Sequence, residues 1–105
     1  MQVTITARHM SLTEKTQEDF KAKIETLERY DHKIQYVDVV CQKEHDQAVM
    51  EWKIGIEHSK SQVFKTEGAD LKVCVDILMD KAEISLSRNK EQRTQKDHTR
   101  LAEAL

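Results

Sequence analysis

The sequence predicts an α+β two-layer sandwich in the order β-α-β-β-β-α, with two helices on one face of a four-stranded, mostly antiparallel sheet. Three observations predict it. Two segments carry apolar residues at helical spacing, one before and one after a central run of alternating segments. The links within that central run are short and polar, as in antiparallel hairpins. A further alternating segment opens the chain, ahead of the first helix. At 105 residues, 38% hydrophobic and 34% charged, the chain has material for one modest core under a charged surface. Each element should therefore show one apolar face.

The elements follow in order. Residues 2–7 alternate polar and apolar, with Val3 and Ile5 on the inward side of a strand. Ser11 and Glu14 have capping-box spacing, with Thr13 an alternative N-cap. The helix that follows, to about Arg29, puts Thr16, Phe20, Ile24 and Leu27 on one stripe. Residues 34–43 set Val37, Val39 and Cys41 against Tyr36, Asp38 and Val40. Residues 48–57 give the cleanest alternation, with Met50, Trp52, Ile54 and Ile56 on one side. Residues 62–67 carry the bulky Val63 and Phe64. Asp70 is a good N-cap for a second helix over roughly 71–90, whose core stripe is Leu71, Cys74, Val75, Leu78, Ala82 and Leu86. Residues 1–91 then make one domain, and residues 92–105 a polar, flexible tail.

Charge is divided along the chain. Residues 1–57 hold 8 Lys/Arg against 11 Asp/Glu, and residues 58–105 hold 9 against 8. The formal net charge of −2 thus conceals a basic stretch at 81–100, where six cations face three acids. A polyanion responds to the field at its contact patch and not to the sum.

Enzymatic chemistry finds no support. There is no G-x-S-x-G, P-loop or H-E-x-x-H motif. The five histidines fall in turns, element ends or the tail. His45 and His58 flank one hairpin and could approach each other, but two imidazoles without a third ligand make a weak zinc site. Cys41 and Cys74 lie far apart in apolar contexts and read as reduced, buried thiols. No apolar run reaches the roughly 18 residues of a membrane span, and the N-terminus is no signal peptide. A cytoplasmic protein is expected.

The basic residues offer more. Lys81 and Arg88 are seven apart on the second helix and nearly eclipsed, with Ile77 and Ile84 beside them outside the core stripe. Lys23 flanks the apolar stripe of the first helix. If the helices pack side by side, these cations could line a cleft for phosphates. Alternatively they only solubilise the helices while the isoleucines close over the sheet margin or meet a protein partner.

The chain as a whole resembles the short ribosome hibernation-promoting factors and the related ribosome-associated inhibitor A, formerly called sigma-54 modulation proteins. The resemblance runs through Met1-Gln2-Val3-Thr4-Ile5-Thr6, Leu12-Thr13-Glu14, Ala22-Lys23-Ile24, Leu27-Glu28-Arg29-Tyr30 and Val39-Val40. It is densest at Glu67-Gly68-Ala69-Asp70-Leu71, Val75-Asp76, Asp80-Lys81, Leu86 and Arg88-Asn89-Lys90, and covers about residues 1–92. It implies a fold similar to double-stranded-RNA-binding domains. It further implies docking on the small ribosomal subunit, in the channel for messenger and transfer RNA, and steric block of translation in stationary phase or stress. Rigid RNA of this kind is met by shape and phosphate contacts. By position, Lys23, Lys81, Arg88 and Lys90 match basic residues of the family and are the expected rRNA contacts. The resemblance implies no cofactor and no small-molecule substrate. The short form also implies a partner factor that pairs ribosomes.

The departures bear on affinity. Lys72 stands where an aromatic residue is usual, Ala82 where a leucine is, and Ser85 where a glutamine is. The usual basic run is diluted to Arg88-Asn89-Lys90-Glu91-Gln92-Arg93. RNA binding is expected to be weaker or its contacts shifted. The rival reading is a protein–protein regulatory module that uses the Ile77/Ile84 face and touches no RNA.

Overall fold

The computed structural model describes the backbone of residues 1–104 and the side chains of residues 1–88. Four strands, β1 (Gln2–Arg8), β2 (Ile34–Glu44), β3 (Gln47–Ile56) and β4 (Gln62–Gly68), lie side by side in chain order. β1 pairs parallel with β2; β2 with β3 and β3 with β4 pair antiparallel. The parallel pair needs a crossover, and the helix α1 (Glu14–Glu25) with its terminal 3-10 turn (Thr26–Arg29) supplies it. The second helix, α2 (Leu71–Ala104), crosses β3 and β4 on the same face. The architecture is the α+β sandwich expected.

Local chemistry explains the boundaries. Thr13, not Ser11, caps α1: its side chain accepts the Thr16 amide at 3.2 Å. Asp70 caps α2, its Oδ1 accepting the Val73 amide at 2.9 Å. The turns His45-Asp46 and Glu57-His58 put a histidine at φ near +58°, as does His9 after β1. Histidine tolerates this left-handed conformation better than branched residues do. α2 runs past the expected end near residue 90, since nothing after Gly68 is Gly or Pro. The side chains of the tail, residues 92–105, lie outside the described residues.

Register fixes which residues meet the helices. Val3 and Ile5 stand beside Val37 and Val39, and Val39, Trp52 and Phe64 form a row across three strands. These pack with Phe20, Ile24 and Leu27 from the α1 side and Cys74, Val75, Leu78, Ala82 and Leu86 from α2 in one cluster. Trp52 is fully buried at its centre, its indole N–H without a hydrogen-bond partner. Such an orphan costs roughly 1–3 kcal/mol, set against the burial of the whole indole ring. Phe64 is half-buried against the core, whereas Val63 points outward and is 58% exposed.

The outer face of the sheet is mixed: Asp38 stands opposite Lys53 and Glu51 opposite Lys65, with Val40, Val49 and Val63 among them. Gly55 has one definite task there. The Tyr36 ring lies over it, 2.0 Å from where a Cβ would stand, so any side chain would displace the ring.

Candidate functional site

Helical spacing assembles the candidate surface on α2. Ile77, Lys81, Ile84 and Arg88 are four, three and four residues apart, so they share one stripe. Lys81, Ile84 and Arg88 are exposed, Ile84 at 54%. Ile77 is only half-buried and does not extend the apolar patch fully into solvent as expected. Among the described residues, neither Lys81 nor Arg88 enters an ion pair. Their ammonium and guanidinium donors therefore face water and can meet an anion without breaking a protein contact. Ser85, beside this stripe, donates to Gln62 Oε1 at 2.7 Å and ties α2 to the start of β4. The buried stripe of Cys74, Val75, Leu78, Ala82 and Leu86 sets the rotation of α2 about its axis, and so the direction of the basic stripe.

Lys23 stands apart. Its Nζ is bonded to Asp76 Oδ1, bridging α1 to α2. Asp76 lies about 140° around the helix from Lys81 at 100° per residue. The groove between the helices, about 420 Å³, is lined by Lys23 with Asp19, Phe20, Leu71, Lys72 and Val75, not by Lys81 or Arg88. The expected single cleft lined by all the cations is therefore not formed. The helices stand on opposite halves of the sheet, and of the two lysines that line the groove between them, Asp76 pairs with Lys23. Lys90, the fourth expected contact, has a side chain outside the described residues. Sequence reasoning missed Asp76 as a counter-ion because 53 residues separate it from Lys23. Its place on the polar side of α2 was the only available signal.

The remaining polar groups make no second centre. Among the described residues there is no cluster of three or more metal-binding side chains. His45 and His58 sit at opposite ends of the ten-residue β3, about 30 Å apart at strand rise, so they cannot approach each other. Both cysteines are free and buried. Burial, and then the neighbouring Cys74, push the Cys41 thiol up to about 11. Burial and then Asp70 push Cys74 up as well, and its Sγ donates to the Ala48 carbonyl at 3.5 Å. Asp31, also buried, accepts the Lys33 amide at 3.0 Å and shapes the turn into β2. No helix among the described residues is long and apolar enough to cross a membrane.

Comparison with known proteins decides the family. The family model described as Sigma 54 modulation protein / S30EA ribosomal protein matches residues 3–94. The chain belongs to this family. The S30EA match spans the whole sandwich and includes Lys23, Lys81, Arg88 and Lys90. Solved structures share the fold. One is a ribosomal subunit interface protein from Coxiella burnetii, with a TM-score of 0.79 at 19% identity, covering 87% of this chain and 99% of that one. Another is the N-terminal domain of Protein Y from Thermus thermophilus, with a TM-score of 0.75 at 21% identity, covering 84% and 98%. No curated protein matches the chain in sequence. As a member of the S30EA family, the protein is a ribosome-associated factor.

Proposed function

We propose that this S30EA-family protein binds the small ribosomal subunit through rRNA and silences idle ribosomes by occupying the channel for messenger and transfer RNA. The observation that carries the reading is the exposed Lys81–Arg88 stripe on α2, free of ion pairs among the described residues. Two cations about 10 Å apart along a helix axis match phosphates of a folded RNA, which is met by shape and charge and not by base sequence. Lys90 would extend the stripe. Lys23 would join only by exchanging Asp76 for a phosphate, so its contribution is conditional. The working compartment is the cytoplasm, where translating ribosomes are. A dimerising partner factor belongs to the same proposal and would act on the ribosome-bound form.

The exposed Ile84 supports a second reading, in which α2 meets a protein partner and touches no RNA. Salt separates the two. Co-sedimentation with ribosomes and separated subunits across a salt series should show binding to the small subunit that weakens steeply with salt. Binding indifferent to salt would favour the protein partner. A bound fraction that leaves messenger and transfer RNA binding undisturbed would refute channel occlusion.

A further inference from the structure

We propose that the open edge of β1, with the groove between it and α1, is a docking site for an extended, basic polypeptide segment that adds to the sheet as a fifth strand. β1 pairs with β2 along one side, and among the described residues no strand pairs its other side. The two sheet edges differ. The β4 edge presents Lys65 and Glu67 on exposed positions, the charges that commonly deter strand addition. β1 presents no charge from Gln2 to Ala7 and contains no proline.

Beside that edge lies a groove of about 280 Å³, lined by Val3, Ile5, Glu14, Gln17, Glu18 and Lys21. An edge strand flanked by a helix is the arrangement that receives peptides by strand addition. Main-chain hydrogen bonds supply affinity, and pockets for alternate side chains supply selectivity. Every second side chain of an incoming strand would turn towards the helix layer. There it meets apolar Val3 and Ile5, and the Glu14 and Glu18 carboxylates one helical turn apart. Among the described residues, neither glutamate is in an ion pair.

Charge selects the occupant. Two carboxylates against the single Lys21 favour lysine or arginine, repel RNA phosphates, and would oppose their own counterparts if a second copy docked edge to edge. A basic extended polypeptide satisfies the edge, the apolar floor and the acidic wall together. The site is separate from the Lys81–Arg88 stripe, and its test needs no ribosome.

The test is an NMR titration of the full chain with the peptide acetyl-Thr-Lys-Thr-Val-Thr-Lys-Thr-amide, which places lysine and valine on one face of a strand. Amide shifts should concentrate in residues 2–8 and 14–21. Glutamate in place of each lysine, or N-methylation of alternate peptide nitrogens, should weaken binding at least about tenfold. Glu14→Lys with Glu18→Lys should do the same, and the milder Glu14→Gln with Glu18→Gln should give a smaller loss while retaining the exposed helix face. Shifts confined to α2, no shifts, or equal binding of the acidic peptide would overturn the proposal. So would an RNA hairpin that perturbs the same β1 amides.

Discussion

α1 and α2 rest on one core, yet they offer solvent opposite things. On α1 the forward cation, Lys23, is held by Asp76, and the flank towards β1 carries Glu14 and Glu18. On α2 the stripe of Lys81, Ile84 and Arg88 is open. The difference is set by geometry more than composition. Asp76 and Lys81 are five residues apart on the same helix, but rotation turns one to α1 and the other to solvent. A lysine's value to an anionic partner therefore depends on which acid has already reached it. Net charge, at −2 for the chain, conveys none of this.

The comparison can be broken most severely at the core that both helices share. Trp52→Ala removes the largest fully buried side chain and should cost about 3–5 kcal/mol, read as a drop in the urea midpoint. Because Trp52 lies between β2 and β4 beneath the helices, both surfaces should be lost together. Gly55→Ala, on the opposite face of β3, must displace the Tyr36 ring and should cost less.

A sharper break separates the two surfaces. Lys81→Glu with Arg88→Glu should weaken small-subunit binding by more than about tenfold while circular dichroism and urea midpoint stay within about 0.5 kcal/mol of the parent. Asp76→Asn tests the other half. The ion pair joins side chains 45% and 53% exposed, so its loss should cost under about 1 kcal/mol. Freed, Lys23 should make ribosome binding modestly tighter and more salt-dependent. Unchanged binding would confine the contact surface to α2.

A pH-dependent effect concerns the Cys41 thiol, buried between the sheet and the helices. Cys41 is raised from 9.0 to about 11. The unfolded chain loses this proton near pH 9, while the folded chain holds it to about 11. The associated stability is therefore complete below pH 9 and drains as pH rises towards 11. Cys41→Ala should flatten that alkaline decline relative to the parent, measured by urea unfolding at pH 8, 9 and 10.

Much of this fold was legible because its strands turn one face, the more apolar one, to the helices. The alternation of Met50, Trp52, Ile54 and Ile56 specified β3 to within a residue, and Asp70 marked the start of α2. The end of α2 was not legible, since a polar sequence without breakers does not show whether it continues. The stripe of Lys81, Ile84 and Arg88 followed from spacing alone, and the structure adds that it is exposed. The pairing of Lys23 was beyond reach. It depends on where two helices from distant parts of the chain settle on the sheet, and helix spacing reports only neighbours on the same helix. The His45–His58 approach failed for a related reason: both flank β3, and strand length keeps its two ends apart.

The most direct test of the account is the slope of log binding constant against log salt for the small subunit, compared between the parent protein and the Lys81→Glu/Arg88→Glu variant. If these two cations each meet a phosphate, the parent's slope is steep and the variant's is shallower by about two units. Equal slopes in the two proteins would mean that the α2 stripe does not face RNA, and the proposed mode of ribosome binding would be wrong.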